Sequence, residues 1–401
     1  MIRRRAASRN GAPKIWLRLL AVATVFTLLA AACSDESSTP GGPTDTGTGG
    51  GSGSIWVLLP DTASSPRWEA DDRRYFGEAF TAAGLAEGDD FTIVNAENDP
   101  ATQQSQAEQA IADGASVIVL TSIDVGSGGT IIDTAKEAGV QVVEYDRFNT
   151  GSSGGAAYVS FDNVAVGAAM AEVLEPEIDA LGGTPQVMML NGGEEDNNAF
   201  LFRDGYAATV EAKVDAGDWG LVDDQFVPGW GAEGEGQTIM EQVLTDNDNK
   251  VDAVFAANDN LAQQAINALE GAGVGPLPLS GQDASAAGIQ NILLGNQTMT
   301  VYKPIQAEAA VGAAVALALR AGDDIMAIQT PGFDFTIIGI NSKDGKPADS
   351  PTGDGIVPYF AEVPIAVTVD NIADTVIADG FRTVEEVCTG DVAQTDFCKN
   401  A

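Results

Sequence analysis

Short apolar runs alternate with amphipathic stretches along this chain, and the alternation restricts its fold more than any other feature. The early runs are too uniformly apolar for strands with one solvated face, so we predict buried parallel strands. These runs are IWVLLP (55–60), FTIVNA (91–96), SVIVLTS (116–122) and VQVVEYD (140–146). The stretches between them have helical spacing and end near a glycine, where a left-handed helix cap fits. They are residues 68–83, 101–113 and 127–138.

The same rhythm returns further along the chain. Its later runs are AYVSF (157–161), QVMML (186–190), DAVFAA (252–257), LPLSG (277–281) and MTVY (299–302). Strand–helix alternation on this scale predicts an α/β fold with right-handed crossovers. Because the 401 residues exceed one ordinary domain, we expect two Rossmann-like open parallel sheets, one in each of two lobes.

Charge and composition exclude several functions. The chain has 58 acidic and 20 basic residues, and six of the basic ones precede Cys33, which leaves a formal charge of −44 after that residue. Such a field repels phosphate backbones and anionic membrane surfaces, so nucleic acid is not an expected partner. The chain has no histidine, which excludes imidazole catalysis and histidine-ligated metal sites. We expect no metal and no cofactor.

The N-terminus is built like an export signal, with a basic stretch followed by an apolar run over residues 15–32. LAAAC (29–33) resembles a bacterial lipoprotein signal, in which Cys33 is lipidated and becomes the new N-terminus. An uncleaved membrane anchor is the alternative. Residues 34–54 are rich in Gly, Ser and Thr and predict a flexible tether, so residues 1–33 and 34–54 precede a folded body that begins near Ile55.

Cys388 and Cys398 enclose a short loop in the C-terminal tail, residues 385–401. In an exported protein we expect them to form a disulfide, which for so short a loop contributes about 2–3 kcal/mol. Two free thiols are the alternative. No C-x-x-C pattern is present to suggest redox catalysis.

Polar residues follow five of the predicted strands. They are Asp146 and Arg147, Asp196 to Asn198, Asn258 and Asp259, Asp283, and Lys303. Parallel sheets bind ligands at the carboxyl ends of their strands. A mixture of acceptors, donors and two-way groups suits a ring of hydroxyls, each of which donates and accepts. Taken singly, Asp196, Asn258 or Asp259 could equally be a helix cap.

Two tryptophans lie in polar, loop-like surroundings, Trp68 in SSPRWEADD and Trp230 in VPGWGAEG. An aromatic face suits the C–H surface of a sugar ring, so we predict that both stack on a sugar. For Trp230, a hydrophobic cap on a loop is the alternative.

These residues lie in segments that resemble one family nearly end to end. The segments are RWEADDRRYF (67–76), EYDRFN (144–149), VSFDNVAVG (159–167), EDNNAFLFRDG (195–205), DAVFAANDN (252–260), SGQDASAAGIQNILLGNQTMTVYKPI (280–305) and NIADTVIADGF (371–381). The chain thereby resembles the sugar-binding proteins of ABC importers with the type I periplasmic fold, and most of all the D-xylose-binding members. The resemblance covers about residues 55–320 and 364–382.

The resemblance implies a ligand site at positions that the strand ends already indicated. The implied monosaccharide-binding residues are Arg67, Trp68, Asp146, Arg147, Asp196, Asn198, Trp230, Asn258, Asp283 and Lys303. Among them Arg67 and Arg147 are expected to donate to sugar oxygens. Trp68 and Trp230 are expected to cover the ring.

The family fold implies two lobes joined by three crossing segments, near 161–163, 302–304 and 356–365. We therefore expect an N-terminal lobe of residues 55–161 plus 303–356 and a C-terminal lobe of residues 162–302 plus 357–384. Two departures stand out. Glu194 and Glu195 replace smaller residues before the Asp-Asn-Asn loop, which could change access at the cleft mouth. Residues 323–362 are longer than the family's segment and rich in Gly, Pro and Asp.

We expect a monomeric, lipid-anchored receptor on the extracytoplasmic face of the cell membrane. It binds a monosaccharide, D-xylose, and delivers it to an ABC permease. A receptor for glucose, galactose or another aldose that also signals to a membrane sensor is the alternative. Glycoside hydrolysis is disfavoured, because pairing of carboxylates with Arg147, Arg67 or Lys303 opposes the raised pKa of a general acid. Sugar-responsive repressors share this core but begin with a basic helix-turn-helix, which this chain lacks.

Overall fold

The computed structural model describes residues 53–401. The predicted export signal, Cys33 and all but the last two residues of the tether lie outside the described residues. Within the described part, no helix has the length and apolar character needed to cross a membrane.

Strands and helices alternate as the sequence predicts. The strands are β1 (Ser54–Leu59), β2 (Phe91–Asn95), β3 (Ala115–Leu120), β4 (Gln141–Tyr145), β5 (Ala157–Phe161), β6 (Gln186–Asn191), β7 (Gly220–Phe226), β8 (Ala253–Ala256), β9 (Met299–Tyr302), β10 (Phe335–Asn341), β11 (Pro347–Ala348), β12 (Ile356–Glu362) and β13 (Ile365–Thr368). The helices are α1 (Arg73–Ala82), α2 (Pro100–Ala112), α3 (Val125–Glu137), α4 (Asn163–Leu181), α5 (Asn197–Ala216), α6 (Glu235–Asp246), α7 (Asp259–Ala272), α8 (Ala286–Leu294), α9 (Ile305–Ala321), α10 (Val384–Val387) and α11 (Asp396–Asn400). A short helical turn, Trp68–Asp72, leads into α1.

The first lobe is built on an eight-stranded sheet in the order β11-β10-β12-β5-β4-β3-β1-β2. Its central strands β1, β3, β4 and β5 are buried on both faces. Ile55, Val57 and Leu59 pack in a cluster with residues of α1 and α9, and Trp56 and Leu58 pack on the other side with residues of α2 and α3. This two-sided burial explains why the early runs are apolar throughout rather than alternating.

The second lobe has a parallel sheet in the order β7-β6-β8. Single bridges from Val254 to Leu279 and from Gln282 to Val301 continue it toward β9, which pairs with β13 in antiparallel fashion. One apolar cluster joins this sheet to α4, α5, α6 and α7. The two open α/β sheets that the sequence predicts are thus present.

The chain passes between the two lobes three times, at residue 162, at 303–304 and at 363–364. The predicted boundary between residues 356 and 357 is wrong, because β12 pairs in parallel with β5 of the first sheet along Tyr359 to Glu362. The third crossing therefore follows Glu362, whose carbonyl accepts the amide of Asp162 at the first crossing.

Several strands were not predicted. The Gly- and Pro-rich stretch 323–362 contains β10, β11 and β12, and β10 and β11 extend the first sheet in antiparallel fashion. β7 is a half-exposed edge strand, and its two aspartates, Asp223 and Asp224, interrupt the alternation of apolar and polar residues that would indicate a strand. Conversely, the predicted strand 277–281 contributes only the bridge at Leu279.

The C-terminal tail is fastened to the second lobe. A disulfide joins Cys388 to Cys398. Gln290 of α8 donates through Nε2 to the carbonyl of Val387 at 3.0 Å. Just before the tail, Arg382 donates through Nε to the carbonyl of Ala284 and pairs with Asp71 of the first lobe, with Nη2 3.2 Å from Oδ2. This ion pair is buried and lies across the two lobes.

Candidate ligand site between the lobes

A small cavity lies where the two lobes meet. All ten residues that the sequence predicts as ligand-binding line it. Four further residues complete the lining: Ser64, Ser65, Phe202 and Gln282.

Asp146, directly after β4, is the electrostatic centre of the cavity wall. Its Oδ2 accepts from Arg67 Nη1 and from Lys303 Nζ, each at 2.8 Å. Asn198 of the second lobe donates to its Oδ1 at 3.2 Å. Burial alone would raise the pKa of Asp146, but Lys303 and Arg67 more than offset it and hold the pKa below its usual range. Asp146 is therefore an ionised acceptor at neutral pH.

Arg67 is held by carboxylates on three sides. Besides Asp146, its Nε and Nη2 donate to Asp72 at 2.9 and 2.8 Å, and Nη2 donates to Glu308 of α9 at 2.7 Å. The side chain is 1% exposed. Since four donor bonds already leave this guanidinium, only one N–H, on Nη1, remains for a ligand. The geometry favours Arg67 as the residue that orients Asp146.

Glu308 lies beneath this cluster and is fully buried. Burial raises the pKa of Glu308 to about 8, and Arg67 only partly opposes this shift. Its Oε1 has no hydrogen-bond partner among the described residues. Two cations, Arg67 and Lys303, face the carboxyl groups of Asp72, Asp146 and Glu308 here.

Arg147 reaches across the cleft to the second lobe. Its Nη1 donates to the carbonyl of Ser122 at 2.9 Å, and its Nε lies 2.9 Å from Oδ2 of Asp196. The same Oδ2 accepts from Trp230 Nε1 at 3.2 Å. Burial raises the pKa of Asp196, and Arg147 opposes this shift. The pair joins the two lobes across the cleft.

Asp196 and Asn258 are helix caps and cavity residues at once. Asp196 accepts from the amide of Asn198 at the start of α5, and Asn258 accepts from the amide of Leu261 at the start of α7. The two interpretations that the sequence left open are therefore compatible. Asp259 lies outside the cavity lining; it is buried and accepts from Ser285, Gln297 and Thr300.

The two indoles lie in the cavity wall with their rings buried. Arg67 stacks over Trp68 at 4.2 Å from the ring centroid, an arrangement that fixes the ring. Trp230 packs so tightly on Gly192 that a Cβ there would come within 2.4 Å of the ring. Phe202 meets Trp230 edge-on at 6.0 Å.

Contacts from Ser64 and Ser65 to the second lobe complete the enclosure. Asn258 Nδ2 donates to the carbonyl of Ser64 at 3.3 Å, and Ser65 Oγ donates to Asp283 Oδ2 at 2.9 Å. The other oxygen of Asp283, Oδ1, is buried and has no hydrogen-bond partner among the described residues. It lies 3.9 Å from Lys303 Nζ. An unpartnered carboxylate oxygen in a cavity wall is costly unless a ligand donates to it.

Three site residues have left-handed backbone conformations, Asp146 (φ 59°), Trp230 (φ 56°) and Asp283 (φ 92°). For residues other than glycine such angles cost free energy, and they concentrate at ligand sites. Asp146 follows β4, Trp230 lies in the turn after β7, and Asp283 follows the bridge residue Gln282. At each position the left-handed turn directs the side chain into the cavity.

Sequence reasoning missed Ser64, Ser65, Phe202 and Gln282. Two of them adjoin predicted residues: Ser65 lies two positions before Arg67, and Gln282 directly precedes Asp283. Phe202 lies one helical turn after Asn198 on α5, a spacing that could have indicated it.

Comparison with known proteins gives a consistent result. A family model described as a periplasmic binding protein domain matches residues 56–324. The chain is 37% identical over 324 residues to the D-xylose-binding periplasmic protein of Escherichia coli, covering 80% of this chain and 88% of that protein. The protein of the same name from Haemophilus influenzae is 36% identical over 331 residues, covering 82% and 91%.

Among solved structures, an ABC transporter solute-binding protein of Clostridium phytofermentans with bound β-D-glucose superposes with a TM-score of 0.70. The two sequences are 26% identical, and the match covers 83% of this chain and 99% of that one.

Proposed function

Because the chain belongs to the periplasmic binding proteins and is a sugar-binding protein of the ABC-transporter type, we propose that it captures a single aldose, D-xylose, in the cavity between its lobes. The observation that carries this proposal is the meeting of all ten predicted residues around one small cavity to which both lobes contribute. As a member of this family the chain is a solute-binding protein and not an enzyme.

Each polar group in the cavity has a role toward a ring of hydroxyls. Asp283 Oδ1, which lacks a protein donor, accepts a sugar hydroxyl. Arg147 and Lys303 donate to sugar oxygens, whereas Asn198 and Asn258 can do both. Trp68 and Trp230 cover the C–H faces of the ring. Arg67 acts through Asp146, which it orients.

Binding and closure are one process in this proposal. The pair Arg147–Asp196 and the bond from Ser65 to Asp283 join the lobes only in the closed arrangement. A sugar that contacts both lobes has a higher affinity for that arrangement and shifts the population toward it. The permease of the importer then recognises the closed surface.

D-xylose is favoured over a hexose by the identity of the curated relatives. A CH₂OH group changes binding through fit alone by about 1–3 kcal/mol, so the preference is one of degree. Glucose, the ligand of the solved relative, is the second candidate, with signalling to a membrane sensor as a further role of the same closed form.

The proposal includes a lipid anchor at Cys33 on the extracytoplasmic face, a tether over residues 34–54, and a monomeric receptor. The cysteine context LAAAC supports the anchor. Cell fractionation tests it: wild-type protein is expected in the membrane fraction, and Cys33→Ser protein should lose lipidation. Equal labelling of both by a radioactive fatty acid would contradict the anchor.

A thermal-shift panel on residues 53–401 tests the ligand class, with D-xylose, D-glucose, D-galactose, L-arabinose and D-ribose as probes. Ligand that binds only the folded state raises the melting temperature. D-xylose is expected to give the largest shift. A panel in which none of the five sugars shifts the melting temperature would overturn the proposal.

A further inference from the structure

A second cavity adjoins the sugar cavity on the side of Arg147. It is larger than the sugar cavity. Ser64, Arg147 and Trp230 line both cavities and form the partition between them. We call this second space the outer cavity.

Both lobes form the outer cavity. Asn98, Pro100, Ile123 and Asp124 line it from the first lobe, and Glu195 and Gly229 line it from the second. The amide of Val125 donates to the carbonyl of Glu195 at 3.0 Å, which joins the two walls at this point. The outer cavity is therefore a feature of the same closed arrangement that encloses the sugar.

Carboxylates at the edge of the outer cavity are held in place by hydrogen bonds. Asp61 accepts from the amide of Ser64 at 2.6 Å, Asp124 accepts from the amide of Ser127 at 2.8 Å, and Glu195 Oε1 accepts from the amide of Gly229 at 2.8 Å. Carboxylate oxygens accept further bonds from hydroxyls, whereas they repel an anionic group. Glu195 belongs to the Glu-Glu pair that departs from the family's usual sequence here.

Apolar surface lies beside these acceptors. Pro100 and Ile123 line the outer cavity together with the Trp230 side chain. Hydroxyl acceptors next to apolar and aromatic surface are what a sugar ring requires.

Arg147 is the group that can serve both cavities. It is 6% exposed, and its Nε has no aligned hydrogen-bond partner although Asp196 Oδ2 lies 2.9 Å away. Nη1 donates to the carbonyl of Ser122. A buried donor such as Nε is normally satisfied, which points to a ligand oxygen at the partition.

We propose that the outer cavity is a second subsite that accepts a neutral substituent on the bound aldose. The inference rests on the proposed function, because the first ring must occupy the sugar cavity. The protein then captures a disaccharide or an O-alkyl pentoside as well as the free monosaccharide, and it excludes an aldose that carries a uronic acid.

Calorimetry on residues 53–401 with D-xylose, methyl β-D-xylopyranoside and β-1,4-xylobiose tests the subsite. The variant Pro100→Trp fills the outer cavity from the start of α2, away from the sugar cavity, and Pro100→Ala is its matched control. We expect xylobiose to bind the wild type within about tenfold of D-xylose. Pro100→Trp should weaken xylobiose binding at least tenfold and leave D-xylose binding unchanged, which also shows that the variant is folded.

Three results would overturn the subsite. D-xylose could bind while neither extended ligand does, which leaves the proposed function standing. Pro100→Trp could affect both ligands equally, or neither of them. Xylose that carries glucuronic acid could bind as tightly as xylobiose, which would contradict the role of the three carboxylates. Failure of every sugar, in contrast, refutes the proposed function itself.

Discussion

Replacing Arg147 by methionine should separate ligand affinity from fold stability. Methionine keeps the aliphatic bulk but removes the guanidinium, so Asp196 loses its cationic partner 2.9 Å away. Asp196 is 2% exposed, and breaking a buried ion pair by removing one partner costs about 3–5 kcal/mol. Because the pair joins opposite lobes, this cost falls on the closed form.

The expected result is a loss of D-xylose affinity of about 10²- to 10³-fold at pH 7, since each 1.4 kcal/mol corresponds to a factor of about ten. Burial already raises the pKa of Asp196, so the carboxyl can take up a proton once Arg147 is gone. The deficit should therefore shrink as the pH falls toward 5.

Isothermal titration calorimetry gives the affinity, and thermal unfolding without sugar gives the stability of the open form. We expect the melting temperature of ligand-free Arg147→Met to stay within a few degrees of wild type. Arg320→Met is the matched control, because Arg320 pairs with Asp90 just before the edge strand β2, outside the cavity lining, with Nη2 3.0 Å from Oδ1. Affinity within threefold of wild type for Arg147→Met would refute the reasoning.

Three further perturbations have definite expected outcomes. Arg382→Met removes the buried ion pair with Asp71 between the lobes, and neither residue lines the cavity. We expect calorimetry to show D-xylose binding weakened several-fold. Unchanged affinity would mean that this contact persists in the open form. Burial raises the pKa of Glu308 to about 8 and that of Glu144 to about 7. The folded state therefore holds protons that the unfolded state releases. The free energy of unfolding should fall as the pH rises from 5 to 8, by up to about 1.4 kcal/mol per pH unit for each group. Denaturant titrations at several pH values should show that the free energy of unfolding falls less steeply with pH in Glu308→Gln than in the wild type. An equal dependence on pH in the two proteins would argue against a proton on Glu308. Replacing Cys388 and Cys398 by serine should lower the free energy of unfolding by about 2–3 kcal/mol, and a loss below about 0.5 kcal/mol would contradict the role of the disulfide as a fastener of the tail.

The strand-end residues could be predicted because parallel strands bring their carboxyl ends to one edge of the sheet. Asp146 follows β4 of the first sheet and Asn258 follows β8 of the second, and the resemblance to two-lobed binding proteins implied that both sheet edges face one cleft. The two sheets were predicted from the alternation of strands and helices, and the crossings between the lobes were implied by the family resemblance.

Contacts that depend on distant partners could not be read from local pattern. Glu308 accepts from Arg67 across 241 residues, and nothing in the α9 sequence marks it as a buried carboxyl under a ligand site. For that reason the sequence predicted Arg67 as a direct sugar donor, whereas the structure uses most of its donors on carboxylates. The left-handed turn at Trp230 likewise depends on packing against Gly192.

The strands in residues 323–362 escaped prediction for a different reason. β10 is half-exposed along much of its length, and β11 spans only Pro347–Ala348, so neither has the continuous apolar character of a buried strand. The boundary error at residue 356 follows directly, because β12 was not recognised as part of the first sheet.

Titration of residues 53–401 with D-xylose in a calorimeter tests the central claim most directly. The cavity at the lobe interface predicts saturable binding of one D-xylose per chain, abolished or weakened at least a hundredfold in Arg147→Met. Absence of binding heat for D-xylose together with D-glucose, D-galactose, L-arabinose and D-ribose, in protein that unfolds cooperatively, would contradict it.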